Sequence, residues 1–282
     1  MNMALQQLEG YRPDKIIKRK NTFKTASGFL KALLQLSQNQ FIQSPDAQLD
    51  QLRGRSLLYA HQQFHHLIGK NWLAYDEGPF VLVHGDFTLQ DYNVLVDEDF
   101  NVTGVIDWQW SFVMPLQFLV PPVWLTGSHF DFMLDSVDWY TEEFRRLLEH
   151  IKKLERSLGI SAKLSTVWEC ITPTTEVAVV TALLHPNYIY HTFWDVLYWQ
   201  LQGVAVDAED FDELQYSRDH TIPLLEAFMN SEISRSLLIR KVKEQEKFWL
   251  SEAQYFGQAK KTAKDDYTEV LRVRGAGSCV AG

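Results

Sequence analysis

Three residues with carboxylate or amide side chains, Asp86, Asn93 and Asp107, lie close together in the sequence. The amide of Asn93 and the carboxylate of Asp107 provide oxygen ligands, which Mg²⁺ prefers to softer donors. Asp86 is then left to accept a hydrogen bond from a hydroxyl group and to orient that group for attack. A base and two metal ligands are the minimal set for phosphoryl transfer, in which a protein mainly positions groups and neutralises charge. This trio therefore predicts phosphoryl-transfer chemistry.

Short strands are predicted to position the trio. Three apolar runs rich in Val, Leu and Ile flank its members, namely Phe80–Val83, 93–96 and 102–106. The polar turn 97–101 joins the second run to the third, and two short strands joined in this way predict a β-hairpin. Each member of the trio therefore lies at the edge of a strand. The next segment, 108–127, is rich in Trp, Pro and Phe without any period, which predicts a packed, irregular loop.

The rest of the chain has the apolar spacing of amphipathic helices. Helices are predicted around 29–36 and 57–68, before the first strand, and around 174–199 and 224–264 after the loop. Between these, one helical stripe consists of Phe144, Leu147, Leu148, Ile151, Leu154 and Leu158. The predicted fold class is α+β, mostly helical, with a small β-hairpin element before the midpoint of the chain.

Composition and charge limit the class of partner. The 282 residues are 46% hydrophobic, which excludes a disordered or low-complexity chain. A formal net charge of −9 argues against nucleic acid or anionic membranes as partners. Two cysteines, Cys170 and Cys279, are too few for a disulfide framework or a four-thiolate zinc site. Because no signal-like or membrane-spanning apolar segment is found, we expect a cytoplasmic protein.

Over about 45 residues, from Phe80 to Pro122, the sequence resembles the catalytic core of a known family. The resemblance rests on three motifs: His84-Gly85-Asp86, Asn93-Val-Leu-Val-Asp97 and Gly104-Val-Ile-Asp107-Trp108. They resemble the aminoglycoside phosphotransferase and choline kinase-like family, which is related to protein kinases. The residues that follow are similar to fungal members in particular: Trp110, Pro115, Pro121-Pro122 and Trp124-Leu125.

The resemblance implies roles for the motif residues. Asp86 is expected to be the catalytic base, while Asn93 and Asp107 are expected to hold magnesium and, with it, ATP. His84 is expected to be a buried brace of the catalytic loop. The fold implied is the C-terminal lobe of a protein-kinase-like protein over residues 1–274, followed by a flexible tail over 275–282.

Two departures from the family pattern bear on these roles. The family places Asn five residues after the catalytic Asp, whereas Asn93 lies seven residues after Asp86 and Asp91 occupies the fifth position. Asn93 is preferred as the ligand because it opens a strand and lies fourteen residues before Asp107, as the family pattern has it. The catalytic loop is then two residues longer, and Asp91 stays an alternative ligand. Gln109 replaces the usual Glu.

A kinase-like enzyme also needs a nucleotide lobe with a glycine-rich loop and a strand lysine. The residues before His84 contain no Gly-x-Gly-x-x-Gly motif and no lysine in an apolar strand, so this lobe is predicted to be absent. Three functions stay open. The favoured one is an incomplete version of an ATP- and Mg²⁺-dependent phosphotransferase that acts on a small-molecule hydroxyl, with its activity as this chain left open. The others are a degenerate kinase-like binding or scaffold module and a metal-dependent phosphohydrolase.

Other polar groups are weaker candidates. His61 and His65 share a helix face, and without a third ligand a surface or core role is favoured. By resemblance, acidic residues on the later helices could contact a cationic substrate, although solvated helix faces are favoured for most: Glu142, Glu143, Asp195 and 207–210. If the face toward a missing lobe is exposed, apolar surface near Phe80 and the first helix predicts self-association.

Overall fold

The computed structural model of the chain describes residues 2–18, 20–44, 51–85, 93–127, 129–160, 164–204 and 211–276. Backbone contacts divide the chain into two units. The first unit comprises Met1–Gln43 and Leu57–Pro223, and the second comprises Ser44–Ser56 and Leu224–Gly282. Every described residue of the candidate site belongs to the first unit.

Helices dominate the described residues, which confirms the predicted mostly helical class. Two short π-helical segments, Thr192–Leu197 and Ser217–Thr221, continue α8 into α9 and α10 into α11. The helices are α1 (Asn2–Leu8), α2 (Ala26–Gln43), α3 (Gln51–Asn71), α4 (Phe130–Asp135), α5 (Val137–Leu158), α6 (Leu164–Glu169), α7 (Pro173–Leu184), α8 (Ile189–His191), α9 (Tyr198–Gln202), α10 (Glu213–Tyr216), α11 (Ile222–Phe228) and α12 (Glu232–Ala276). Among the described residues, none of these helices is both long enough and apolar enough to cross a membrane.

The β element consists of two antiparallel pairs, one nested inside the other in sequence. The strands are β1 (Phe80–Val83), β2 (Val94–Val96), β3 (Val102–Val105) and β4 (Phe112–Pro115). β2 and β3 form the predicted hairpin, with Val94 opposite Val105. β1 pairs with β4 across the whole hairpin, with Phe80 opposite Pro115 and Val83 opposite Phe112.

Strand β4 corrects the prediction of an irregular loop over 108–127. The sequence Phe112-Val113-Met114-Pro115 is too short to show a strand period, and its partner β1 lies far away in the chain. The two faces of this pair nevertheless differ, because Met114 is buried while Val113 and Leu82, its partner in the register, are exposed. Pairing over a long sequence separation has therefore produced a strand that local pattern does not predict.

The amphipathic helix α5 organises part of the core of the first unit. Its side chains Phe144 and Leu148 pack with Trp168 of α6, as the predicted stripe requires. The last two members of that stripe, Leu154 and Leu158, are exposed, so the prediction is wrong for them. Glu155, on the same face as Phe144, is buried instead.

The buried Glu155 joins α5 to the start of α6. Its carboxylate accepts hydrogen bonds from the backbone N–H and the hydroxyl of Ser165. A buried carboxylate is tolerated only when donors of this kind replace water. At the end of α5, where the apolar stripe was expected to continue, this polar contact therefore attaches α6 instead.

The second unit contains the long helix α12. The helix predicted over 224–264 is in fact two helices, because α11 ends at Phe228 and α12 begins at Glu232. Lys241 of α12 is buried and its ammonium group donates to the carbonyl oxygen of Ser44. The flexible tail expected over 275–282 lies, from residue 277 onward, outside the described residues.

Candidate active site

The hairpin brings two members of the trio, Asn93 and Asp107, to the same end of the β element. Asn93 directly precedes β2, and Asp107 follows β3 by two residues. The N–H of Ile106 donates to the carbonyl oxygen of Asn93 over 2.9 Å, so the pairing continues one step beyond the strands. Asn93 is buried, with 4% of its surface exposed, whereas Asp107 is exposed. Backbone pairing thus holds one buried and one exposed oxygen donor at the same end of the β element.

Asp107 has a left-handed backbone, with φ 64° and ψ 47°. Few residues other than glycine adopt this conformation, and Asp and Asn are among those that tolerate it best. The bend ends β3 and starts a 3₁₀ turn, Trp108–Trp110. The carboxylate of Asp107 therefore projects from a sharp corner between a strand and a helical turn.

His84 connects the end of β1 to the same corner. Its Nε2 lies 2.7 Å from the carbonyl oxygen of Ile106, and since a carbonyl only accepts, Nε2 carries the proton and donates. The imidazole is buried and makes an edge contact with the indole of Trp108, with ring centroids 4.9 Å apart. This geometry agrees with the expected brace.

Gly85 is required by close packing. A Cβ atom at this position would lie 2.3 Å from the carbonyl oxygen of Trp110 and 2.8 Å from Cε1 of Phe112. Real Cβ atoms essentially never approach other atoms so closely. The glycine before Asp86 thus lets the end of β1 pass against the 3₁₀ turn that follows Asp107.

The expected catalytic base, Asp86, and the alternative ligand, Asp91, lie outside the described residues, as does the rest of the loop 86–92. Their roles, and the predicted lengthening of this loop by two residues, stay predictions. The described residues on each side of the loop, Gly85 and Asn93, show where it begins and ends.

The donors that are described fit a magnesium ion chemically. Asn93 and Asp107 offer an amide and a carboxylate oxygen, and oxygen donors of this kind suit Mg²⁺. Within the described parts of the chain, no group of three or more His, Cys, Asp or Glu side chains forms another site that could hold a metal.

The carboxylates of the hairpin turn have a structural role. Asp97 accepts hydrogen bonds through Oδ1 from the backbone N–H groups of Asp99 and Asn101, and the Asn101 side-chain amide donates to it as well. These bonds, with that of the Asn101 side chain the largest cause, lower the pKa of Asp97. Asp97 therefore closes the turn between β2 and β3.

His61 is buried and His65 is partly buried, and both pack against α2. Their Nε2 atoms are 3.2 Å and 3.1 Å from the hydroxyl oxygen of Ser37 on α2, and Phe41 stacks on the ring of His61. Burial lowers the pKa of His61 to about 3 and that of His65 to about 4. Of the two roles that the sequence left open for the pair, the structure shows the core one.

The acidic residues on the later helices do not converge on the hairpin in any described contact. Glu142 and Glu143 both form ion pairs with Arg146 on the exposed face of α5. Asp195 pairs with a histidine one turn earlier, and burial is the main cause that raises the pKa of its carboxyl group. The third candidate, 207–210, lies outside the described residues.

Two features of the site were not assigned by the sequence analysis. One is the crowding at Gly85, and the other is a hydrogen bond from the indole N–H of Trp108 to the carbonyl oxygen of Val105, 2.9 Å away. The motifs contained both residues, but spacing alone does not show what a glycine or an indole contacts. No local signal pointed to either contact, because strand β4, which follows the turn, is itself not predicted by the sequence pattern.

Comparison with known families finds a match over part of the chain. Residues 17–118 match the phosphotransferase enzyme family (APH), and this segment contains Asp86, Asn93 and Asp107. Searches of curated proteins and of solved structures find no significant match. The predicted resemblance to the aminoglycoside phosphotransferase and kinase-like family is thereby confirmed, while the fungal type stays a prediction. Residues 17–118 of this chain are therefore similar to the phosphotransferase enzyme family.

Proposed function

We propose that this chain binds ATP with Mg²⁺ and is built to transfer the γ-phosphate to a hydroxyl group of a small molecule. The observation that carries the proposal is the pairing at the hairpin end, where the Ile106-to-Asn93 hydrogen bond brings Asn93 beside the strand that leads to Asp107. The family match to residues 17–118 supports the general activity, phosphoryl transfer.

Each motif residue has a proposed role in this reaction. Asn93 and Asp107 hold the magnesium ion, which when bound neutralises the phosphate oxygens. Asp86 accepts the proton of the acceptor hydroxyl, a contribution of about 10² to 10⁴ in rate for a positioned base. His84 and Gly85 fix the strand end from which Asp86 follows.

One observation favours a second candidate, a kinase-like binding or scaffold module without turnover. The described residues before β1 form helices and turns and contain no strand, and no Gly-x-Gly-x-x-Gly motif is present in that part of the sequence. A glycine-rich strand-turn-strand is what covers the ATP phosphates in kinases. The assignment of residues 1–274 to a C-terminal lobe is proposed because this range is mostly helical and contains the three motifs.

Calorimetry with MgATP on the full chain tests the proposal. Asp107→Asn is the informative variant, because Asn tolerates the left-handed backbone while the carboxylate charge is lost. Asp99→Asn is the matched control, since it removes the same charge from an exposed position on the same hairpin. We expect MgATP affinity to fall about 10-fold or more in Asp107→Asn and to stay unchanged in Asp99→Asn.

The remaining outcomes separate the other functions. No heat with the unaltered protein contradicts ATP binding and supports the scaffold module. If Asp107→Asn and Asp99→Asn bind MgATP with equal affinity, the role of Asp107 is wrong, but ATP binding by the chain is not contradicted. Release of phosphate from a generic phosphomonoester without ATP, lost in Asp107→Asn, supports a metal-dependent phosphohydrolase.

A further inference from the structure

The backbone that presents Asp107 is held by two side chains that do not belong to the proposed trio. Trp108 donates its indole N–H to the carbonyl oxygen of Val105, and His84 donates Nε2–H to the carbonyl oxygen of Ile106. The two carbonyls are consecutive, and both immediately precede Asp107. The left-handed bend at Asp107 is thus held on its strand side by hydrogen bonds from two ring N–H groups.

These two donors also support each other. The rings of His84 and Trp108 meet edge to face, with centroids 4.9 Å apart and planes at 63°. The N–H of Ile106 is held as well, because it donates to the carbonyl oxygen of Asn93. Residues 105 and 106 therefore accept hydrogen bonds from Trp108 and His84 and donate one to Asn93, while Asp107 itself stays exposed.

Trp108 makes this hydrogen bond although its side chain is partly exposed. About 45% of its surface is accessible, whereas large aromatic side chains are usually mostly buried. Its neighbour Trp110, in the same 3₁₀ turn, is accessible to 38% and donates no indole hydrogen bond to a described residue. Of these two tryptophans, Trp108 therefore holds the bend before Asp107 through its indole N–H, and Trp110 does not.

We propose that Trp108 is a positioning residue: its indole N–H clamps the carbonyl of Val105 and so fixes the left-handed backbone that aims the Asp107 carboxylate. The inference rests on the proposed function, because it assigns Asp107 a cation to hold. A left-handed corner without a clamp relaxes toward ordinary conformations, which turns the carboxylate away. Groups that orient a metal ligand typically change metal affinity by about 10- to 100-fold when they are removed.

The test compares Trp108→Phe with Trp110→Phe in the full chain. The first substitution removes the N–H and keeps an aromatic edge toward His84, and the second changes the same residue type in the same turn. The probe is Mn²⁺ alone, titrated by electron paramagnetic resonance. Trp108→Phe is expected to weaken Mn²⁺ binding about 10-fold, and Trp110→Phe less than about 2-fold.

A second measurement does not depend on the metal. Amide hydrogen exchange of peptides that cover residues 104–108 should be faster in Trp108→Phe than in the unaltered protein, and unchanged in Trp110→Phe. Urea unfolding of both variants controls for global loss of stability, which a merely structural tryptophan would produce without a selective change in metal affinity.

The outcomes distinguish this inference from the proposed function. If the unaltered protein binds Mn²⁺ and Trp108→Phe binds it equally well, the positioning role is wrong while the proposed function stands. If the unaltered protein does not bind Mn²⁺ alone, a metal site that forms without ATP is excluded. MgATP calorimetry then decides the proposed function, and the exchange rates decide whether the clamp exists. Unchanged exchange in Trp108→Phe overturns the clamp in either case.

Discussion

The substitution Gly85→Ala tests how the candidate site is packed. The added Cβ would lie 2.3 Å from the carbonyl oxygen of Trp110, whereas ordinary contact begins at 3.4 Å. Because that oxygen belongs to the backbone, no side-chain rotation relieves the overlap. Either the end of β1 or the 3₁₀ turn after Asp107 has to move by about 1 Å.

The magnitude follows from this displacement. Overpacking a tight site costs typically about 1–3 kcal/mol, and we expect Gly85→Ala to lie at the upper end, because backbone is displaced. A shift of about 1 Å between Asp86 and Asp107 also separates the proposed base from the proposed ligand. Misplacement on that scale lowers activity by about 10²-fold, and we expect MgATP affinity to fall as well.

Gly104→Ala is the matched control on the same β element. Its Cβ would meet only Cδ1 of Leu95, at 3.8 Å, which is an ordinary contact. We expect its free energy of unfolding to be unchanged or raised by about 0.4–1 kcal/mol, since alanine reduces the freedom of the unfolded chain. Urea unfolding and MgATP calorimetry measure both effects. A Gly85→Ala protein that unfolds and binds like the unaltered one would refute the packing argument.

Three further perturbations test other parts of the structure. Burial holds the pKa values of His61 and His65 at about 3 and about 4, so between there and about pH 6.5 the unfolded chain binds more protons. The free energy of unfolding, measured by urea titration, should therefore fall as the pH falls, by up to roughly 2.7 kcal/mol per pH unit near pH 5. The slope should be half as large in His65→Gln, and a free energy that does not change with pH contradicts this prediction. Glu155→Ala should lower the free energy of unfolding by about 1.5–3 kcal/mol, because it removes a buried carboxylate. Glu149 is exposed, so Glu149→Ala should lower it by less than about 0.5 kcal/mol. Equal losses would show that burial of the carboxylate is unimportant. We also propose self-association through a second copy of the chain at the open β1–β4 pair, where Leu82 is 63% exposed; sedimentation should show it weakened by Leu82→Lys, and a monomer at high concentration argues against it.

Local signals predicted most of the elements that carry the site. The strand Phe80–Val83 and the hairpin around the turn at Asp97 were readable because β-branched runs and turn residues are adjacent in the sequence. The helices were readable from apolar spacing over many residues. The motif residues Asn93 and Asp107 were found because both flank these strands.

Features that depend on distant contacts were not predictable. The strand β4 exists because β1 pairs with it. Four residues are too few to show the alternation of apolar and polar side chains that predicts a strand. The burial of Glu155 depends on Ser165, which lies on another helix. The clamp by Trp108 depends on which way the indole turns at the corner, and a motif gives the residue type without its direction.

The nesting of one strand pair inside the other suggests an order of assembly. Residues 84–111 separate β1 from β4, and the inner hairpin has only local contacts, so it can form within microseconds. Once formed, it shortens the loop that the outer pair has to close and lowers the entropic cost by about 0.5 kcal/mol. The residues proposed for chemistry lie in the segments that join the inner pair to the outer one. We therefore expect them to come into register only when β1 meets β4, which makes the candidate site a late product of folding.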